Sequence, residues 1–291
     1  NEISRGLHVM TNLPKQSSDP LSEVTAHYEG SDEAGRLRQM TGQLERVRTQ
    51  ELLTRYLPAP PAVILDVGGG AGIYALWLAE LGYTVHLIDP TPKHVEQARA
   101  ASAAQPAHPL ASAEIGDARA LHWPDASADV VLMLGPLYHL PEREERVQAW
   151  CEARRVVRDG GLIVAAAISR FASTLDGLFS GFMDDPVFVN IAQEDVRSGQ
   201  HRNPTQHPGY FTTAYFHHPE ELKCEISYAG LQHVATLPVE GVGCMLQNFA
   251  DHWQDPGRRE RLLEVLRWLE CEPSLRGATG HLLAVARKIK T

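Results

Sequence analysis

The sequence is poor in cysteine, and the few cysteines it has are far apart. Cys151, Cys224, Cys244 and Cys271 are the only four among 291 residues, and none belongs to a Cys-x-x-Cys pair. Such pairs are the usual mark of structural zinc sites and of thiol–disulfide redox centres. We therefore expect reduced, mostly packed thiols, and neither a disulfide scaffold nor a cysteine-ligated zinc site.

Long apolar runs and an excess of positive charge are also missing. No apolar run approaches the roughly 18 residues that a membrane-spanning helix needs, and no signal-peptide pattern opens the chain. The 27 lysines and arginines are outnumbered by 36 aspartates and glutamates, a net charge of −9. Because nucleic-acid affinity comes mainly from lysine and arginine, we expect neither nucleic acid nor a membrane as partner. A cytoplasmic protein acting on a small molecule is the expectation, while composition does not determine its oligomeric state.

Glycine is concentrated at one place, directly after a short apolar segment. Residues 62–67 are typical of a buried strand, and four glycines lie within residues 68–72. A helical pattern follows and ends at Gly82. This order favours a ligand site, because glycine lets a ligand approach the backbone and the helix N-terminus presents free N–H groups.

The spacing of these glycines indicates the kind of ligand. A dinucleotide-binding loop needs Gly-x-Gly-x-x-Gly, but Ile73 stands where the third glycine would fall. The loop instead reads Asp66-x-Gly68-x-Gly70-x-Gly72, which resembles the first motif of the class I methyltransferases that use S-adenosylmethionine (SAM). The resemblance implies that these four residues bind SAM. The alternative is a glycine-rich turn that binds nothing.

An acidic residue ends the next strand. Residues 84–88 read as this second strand, and Asp89 follows them directly. A carboxylate at this position can accept hydrogen bonds from both ribose hydroxyls, so we predict Asp89 as the ribose ligand. Its alternative role is the N-cap of the following helix, a position that Thr91 also fits.

A third strand, at about residues 113–115, is followed by another acidic residue. The resemblance implies that Asp117 and its neighbour Ala118 meet the adenine ring, with the carboxylate accepting from the exocyclic amine. It also implies that Leu134, at the end of the fourth strand, belongs to the cofactor site.

The segment after the fourth strand carries the predicted chemistry. Ligands of open α/β sheets collect at the carboxyl ends of the strands, which is where Tyr138 and His139 lie. A neutral histidine can remove a proton from a nitrogen or oxygen nucleophile, and a tyrosine can orient it. We therefore predict a catalytic role for both residues. The alternative is that His139 packs against the cofactor or caps the next helix.

The order of strands and helices predicts an α/β fold with a doubly wound, mostly parallel seven-stranded sheet. The resemblance to the class I core spans residues 62–169 and implies an antiparallel last strand at the sheet edge. We expect a flexible lead-in over residues 1–20, an N-terminal helical cap over 21–60 and a methyltransferase core over 61–291.

Residues 170–216 form an aromatic-rich insertion after the fifth strand. Insertions of this length are usually lids or binding segments, so we predict a substrate cap. For each candidate contact the alternative is a surface or packing role. The candidate contacts to the methyl acceptor are Tyr28 and Arg36 of the N-terminal cap, His201, Tyr210 and Tyr215 of the insertion, and His217 directly after it. The histidines of this stretch show neither a close acidic partner nor a His-Glu-x-x-His pattern, so no metal site is predicted.

Together these motifs predict a SAM-dependent methyltransferase that acts on a small molecule and releases S-adenosylhomocysteine. We expect in-line SN2 transfer in an enclosed pocket, where alignment supplies most of the rate. Nitrogen, oxygen and carbon acceptors all remain open. The alternatives are non-methyl chemistry on a SAM-binding fold, such as a cyclisation or elimination, a protein that only binds SAM, and a nicotinamide-dependent oxidoreductase, which Ile73 and Asp117 disfavour.

Overall fold

The computed structural model of the protein describes residues 40–205 and 207–290. Its strands, in chain order, are β1 Val63–Val67, β2 Thr84–Asp89, β3 Ser112–Ile115, β4 Ala128–Met133, β5 Val157–Ser169, β6 Gln200–His201, β7 Ala214–His217, β8 Gln232–Pro238 and β9 His281–Arg287. Its α-helices are α1 Met40–Tyr56, α2 Ile73–Glu80, α3 Pro92–Ala103, α4 Arg143–Val156, α5 Ala172–Ser180, α6 Pro186–Ser198, α7 Pro219–Tyr228, α8 Phe249–Gln254 and α9 Pro256–Leu269.

Seven of these strands form the central sheet, in the order β3-β2-β1-β4-β5-β9-β8. Strand β9 runs antiparallel to both of its neighbours, and the remaining pairs within this sheet are parallel. The predicted mostly parallel, seven-stranded sheet with an antiparallel last strand is confirmed. The expectation that this last strand lies at the sheet edge is wrong, because β9 lies between β5 and β8. Residues 282–286 of β9 are all buried, as an interior strand requires, whereas the first half of β8 is partly exposed.

Helices cover both faces of the sheet, which makes the fold doubly wound. On one face Leu65 and Val67 pack in a core with residues of α4 and α7, including Trp150 and Leu222. On the other face Ile64, which directly precedes Leu65, packs in a second core with α1, α2 and α3. Because both faces are buried, the central strands are almost continuously apolar instead of alternating with polar residues.

Helix α1 is the described part of the predicted N-terminal cap. Its buried Arg48 donates to Glu270 at 2.6 Å and to Glu51 at 2.7 Å, which ties the helix to the segment after α9. Residues 1–39 lie outside the described residues, including the predicted lead-in and most of the cap. In the part of the chain that the structure describes, no helix is long and apolar enough to span a membrane.

The insertion after β5 contains α5, α6 and a small hairpin of β6 and β7. Strand β5 continues beyond β4, so that Ile168 and Ser169 pair with Phe216 and His217 of β7. A separate small core of α6 and the following segment includes Phe188, Ile191, Ala192 and Tyr210. The structure therefore has an insertion after β5, while its predicted bounds and its function as a substrate cap stay predictions.

Candidate active site

The glycine loop between β1 and α2 adopts a backbone that glycine alone tolerates well. Gly68, Gly70 and Gly72 have φ angles of +71°, +57° and +87°, in the left-handed region. A Cβ atom at Gly68 would lie 2.6 Å from Cδ of Pro136, whereas one at Gly70 would meet no atom within 4 Å. The loop is thus packed against protein at Gly68 and open at Gly70.

One pocket lies at the carboxyl edge of the sheet, beside this loop. Gly72, the N-cap of α2, is not part of its lining, and a Cβ atom there would face Ala98 and Leu87. The other predicted cofactor and catalytic residues do line it: Asp66, Gly68, Gly70, Asp89, Asp117, Ala118, Leu134, Tyr138 and His139. The fold therefore brings these residues together, and their individual roles stay predictions.

Asp66 is buried without a hydrogen-bond partner. Its residue is 1% exposed, and neither carboxylate oxygen meets a donor among the described residues. Burial, and secondarily the charge of Asp89, raises the pKa of the Asp66 carboxyl to about 7. A buried polar group without a partner destabilises the fold unless a ligand supplies one. Asp66 is thus suited to meet a donor or cation that enters the pocket.

Asp89 connects the end of β2 to the glycine loop. Its Oδ2 accepts a hydrogen bond from Gly70 N at 2.9 Å, and its Oδ1 accepts one from Thr91 N at 2.9 Å. The sequence makes Asp89 and Thr91 both candidates for the N-cap of α3. The N-cap is Thr91, although the Thr91 side chain makes no capping hydrogen bond. A carboxylate oxygen has two lone pairs, so Oδ2 retains acceptor capacity for a ligand hydroxyl.

His94 is a pocket residue that the sequence analysis missed. Its Nδ1 lies 3.1 Å from Oδ1 of Asp89, and its ring is buried in the pocket lining. The available signal is its place in the first turn of α3, five residues after Asp89. Such a histidine can fix the orientation of the neighbouring carboxylate.

Asp117 is held by Arg119, two residues later. Nη2 of Arg119 lies 2.6 Å from Oδ2 of Asp117, and the backbone N–H of Arg119 donates to Oδ1 at 2.8 Å. Burial alone raises the pKa of the Asp117 carboxyl, but the bonds from Arg119 outweigh it and hold that pKa below its ordinary value. Asp117 therefore presents an oriented, ionised carboxylate beside Ala118.

Tyr138 and His139 lie on a 3₁₀ turn, residues 136–139, that directly follows β4. The centroids of their rings are 4.6 Å apart in an edge-on arrangement, and Tyr138 Oη donates to Leu134 O at 3.3 Å. The largely buried ring of His139 lies 5.9 Å from the ring of Phe211 in the insertion. The turn thus places an imidazole between the glycine loop and the insertion.

His201 and Tyr210 do not line this pocket. Nδ1 of His201 is 2.9 Å from Oδ2 of Asp195, and its Nε2 is 2.8 Å from Tyr210 O. Tyr210 Oη donates to Oδ2 of Asp185 at 2.6 Å. The expectation that the histidines here lack acidic partners is wrong, because α6 brings Asp195 to His201.

Tyr215 and His217 also point into a buried network and away from the pocket lining. Tyr215 Oη donates to Oε2 of Glu221 at 3.2 Å, and Nε2 of His217 lies 3.4 Å from Oε2 of Glu225. Helix α7 supplies both carboxylates. A role of these four insertion residues as acceptor contacts stays a prediction, and Tyr28 and Arg36 lie outside the described residues.

Glu45, on α1, is a second pocket residue that the sequence analysis missed. Its Oε2 lies 3.9 Å from Nδ1 of His281, which is itself 2.6 Å from Oε1 of Glu240. The other oxygen of Glu240 accepts from Thr279 Oγ1 and from His281 N, at 2.9 and 2.8 Å. These bonds hold the end of β8 to the start of β9 beside the pocket.

Comparison with known sequences identifies the segment that carries this site. Residues 65–165 match the family model described as a methyltransferase domain. The ubiquinone biosynthesis O-methyltransferase of Methylocella silvestris is 37% identical over 118 residues, which cover 40% of this chain and 44% of that protein. The 27-O-demethylrifamycin SV methyltransferase of Amycolatopsis mediterranei is 31% identical over 163 residues, 55% of this chain and 56% of that protein. The chain thus spans about half the length of these curated relatives.

A solved structure shares the fold over a longer range. The SAM-dependent methyltransferase of Methanosarcina mazei superimposes with a TM-score of 0.54 at 19% identity, covering 82% of this chain and 98% of that chain. At this identity the likeness shows the fold alone. The segment matched by the family model runs from β1 to β5, the strands that hold the glycine loop and the 136–139 turn.

Proposed function

We propose that this chain, whose residues 65–165 are a methyltransferase domain with the class I, SAM-dependent fold, transfers the methyl group of SAM to a small molecule. The predicted fold is confirmed, and residues 65–165 match a methyltransferase domain. The use of SAM by this chain is part of the proposal. The activity of the whole chain and the atom that receives the methyl group are the proposal.

The observation that carries the proposal is the unpaired, buried carboxylate of Asp66 at the glycine loop. Asp66, Asp89 and Asp117 lie at the carboxyl ends of β1, β2 and β3, which are neighbours in the sheet. SAM has an ammonium group, a ribose diol and an adenine amine in the same linear order. The three carboxylates therefore match the donors of this molecule, with the open side of Gly70 along its path.

The acceptor side follows from the position of β4. Strand β4 lies on the opposite side of β1 from β2, so Tyr138 and His139 flank the far end of a ligand that extends over β2 and β3. Bound SAM supplies a methyl group on a sulfonium, whose transfer leaves a neutral thioether. His139 is placed to take a proton from the acceptor, and Tyr138 to orient the imidazole.

The class of acceptor is inferred from the site and from the relatives together. The pocket is mainly lined by apolar and backbone groups around a few polar side chains, as is usual for small-molecule sites. Both curated relatives reported above methylate oxygen according to their names. A hydroxyl oxygen of a partly apolar small molecule is therefore the first acceptor to test.

The test is product analysis with SAM that carries a deuterated methyl group and a panel of phenols, hydroquinones and macrocyclic alcohols. Mass spectrometry should find one labelled acceptor molecule for each S-adenosylhomocysteine formed. His139→Ala should lower kcat by roughly 100-fold with unchanged SAM affinity, because a positioned base contributes about that much. His108→Ala, at an exposed loop position, is the matched control and should keep full activity. Conversion of an acceptor without S-adenosylhomocysteine would instead establish non-methyl chemistry.

A further inference from the structure

The backbone directly after His139 is held by a buried arginine. Nη1 of Arg146, on α4, donates to Leu140 O at 2.9 Å and to Pro141 O at 2.7 Å. Leu140 lines the pocket, and Arg146 is only 2% exposed. Arg146 therefore fixes the backbone at the end of the turn without itself lining the pocket.

Arg146 is in turn fixed by the elements that surround the insertion. Its Nε donates to Oε1 of Glu225, on α7, at 2.9 Å. Its guanidinium lies over the ring of Tyr215, on β7, with Cζ 3.5 Å from the ring centroid. One side chain thus connects α4, α7, the β6–β7 hairpin and the turn.

The hairpin also contacts the turn directly. Gln200, on β6, donates from Nε2 to Pro141 O at 3.0 Å, so this carbonyl accepts from Gln200 and from Arg146. The ring of Phe211, between β6 and β7, lies 5.9 Å from the ring of His139. The turn and the hairpin are therefore joined at two separate points, at His139 and at Pro141.

We infer that Arg146 is a positioning residue for the acceptor half of the pocket: it locks the 136–141 turn to the β6–β7 hairpin and so sets the place of His139. The catalytic part of this inference rests on the proposed function. Arginine suits the position because its planar fork makes several directed hydrogen bonds while its face stacks on an aromatic ring. Lysine keeps the charge opposite Glu225 but has neither the fork nor the stacking face.

Arg170 provides a matched control within the same layer. It is 7% exposed, donates from Nε to Phe216 O at 2.8 Å and from Nη2 to Glu221 Oε1 at 2.7 Å. Its Cζ lies 5.7 Å from the centroid of the Tyr215 ring. Arg170 is thus a buried, paired arginine beside the same tyrosine. Among the described residues, its side-chain hydrogen bonds stay within β7 and α7 and do not reach the turn.

The experiment compares Arg146→Lys, Gln200→Met and Arg170→Lys by two readouts. In hydrogen–deuterium exchange, the amides of residues 137–140 should exchange faster in Arg146→Lys, somewhat faster in Gln200→Met and unchanged in Arg170→Lys. In methyl-transfer kinetics, Arg146→Lys should lower kcat about 10- to 100-fold, because a shift of about 1 Å in a reacting group can cost that much. SAM affinity, measured by calorimetry, should stay within about twofold of wild type in all three variants. Among the described residues, the hydrogen bonds of these side chains do not reach Asp66, Asp89 or Asp117.

Two results would overturn the inference. One is unchanged exchange of the turn in Arg146→Lys. The other is an equal loss of kcat in Arg146→Lys and Arg170→Lys, which would indicate a general packing effect. If Arg146→Lys does not fold, Glu225→Gln, which removes the charge that holds Nε of Arg146, gives the same exchange readout, and unchanged exchange of the turn there would overturn the inference. If the wild type methylates no acceptor, the proposed function fails, and the exchange comparison still decides whether Arg146 locks the turn.

Discussion

The sheet edge of the pocket, where Asp66, Asp89 and Asp117 lie, and the insertion after β5 differ in whether their buried polar groups have protein partners. At the edge, Asp66 has a buried carboxylate that no described residue satisfies. In the insertion, several buried polar side chains have protein partners: Nδ1 of His201 meets Asp195, and Arg170 donates to Phe216 O. Because an unsatisfied buried group destabilises the fold, it is retained where a ligand satisfies it, whereas paired groups hold a segment in one conformation. On this ground we propose that the edge binds the ligand and that the insertion positions the residues around it.

The largest expected effect separates two glycines of the same loop. Gly70→Ala should lower SAM affinity at least about 100-fold, because its methyl group enters space that we assign to the ligand. The strain of an alanine in the left-handed backbone conformation should lower Tm by only about 3–6 °C. Gly68→Ala should lower Tm more, since its methyl group would also collide with Pro136. Calorimetric titration and thermal melts of both variants measure this difference. Wild-type SAM affinity in Gly70→Ala would show that the ligand does not lie against the loop.

The next effect concerns the titration of Asp66. Its folded pKa of about 7 exceeds the ordinary value of 3.8, so the unfolded chain loses this proton first as the pH rises. The free energy of unfolding of the ligand-free protein should therefore fall between about pH 4 and pH 7, by on the order of 4 kcal/mol in total from this group. Asp66→Asn removes that loss, so its Tm should exceed that of wild type at pH 8 and approach it at pH 5.

The same substitution should weaken cofactor binding. We expect Asp66→Asn to lower SAM affinity about tenfold or more, as the loss of a charge-assisted hydrogen bond does. Wild-type affinity should fall as the pH drops below about 7, because the carboxyl must then release a proton to pair with an ammonium group. Calorimetry between pH 5.5 and 8 in both proteins tests this, and an identical pH dependence in the variant would contradict the role of Asp66.

The smallest expected effect is at Tyr210, in the insertion. Tyr210→Phe removes the hydrogen bond to Asp185 and should lower Tm only slightly. If its role is positioning alone, KM for the acceptor should stay within about twofold of wild type, because Tyr210 does not line the pocket. A tenfold rise in acceptor KM with unchanged SAM affinity would instead support Tyr210 as an acceptor contact, as the sequence suggests.

Local sequence was sufficient to predict the mostly parallel core of the sheet and most of the residues that line the pocket at its carboxyl edge. The glycine loop and the acidic strand ends are set by residues within one strand–turn unit, and fully apolar strands indicate a sheet that is covered on both faces. The fold also places the 136–139 turn, with Tyr138 and His139, directly after β4, where the pattern predicted these two residues.

The remaining features depend on contacts between distant parts of the chain. The bond between Arg146 and Glu225 joins residues 79 positions apart, and Arg48 meets Glu270 across 222 positions. No local period marks such pairs. The place of β9 between β5 and β8 likewise follows from how two late strands pair, which their separate patterns do not specify.

Calorimetric titration of the wild-type protein with SAM, S-adenosylhomocysteine and a nicotinamide dinucleotide tests the central claim most directly. We predict binding of SAM and S-adenosylhomocysteine with Kd values of about 1–100 µM, corresponding to roughly 5–8 kcal/mol, and loss of most of that affinity in Asp89→Ala. Binding of the nicotinamide dinucleotide without binding of either SAM or its product would contradict the account and make the Asp66–Gly72 loop a dinucleotide site.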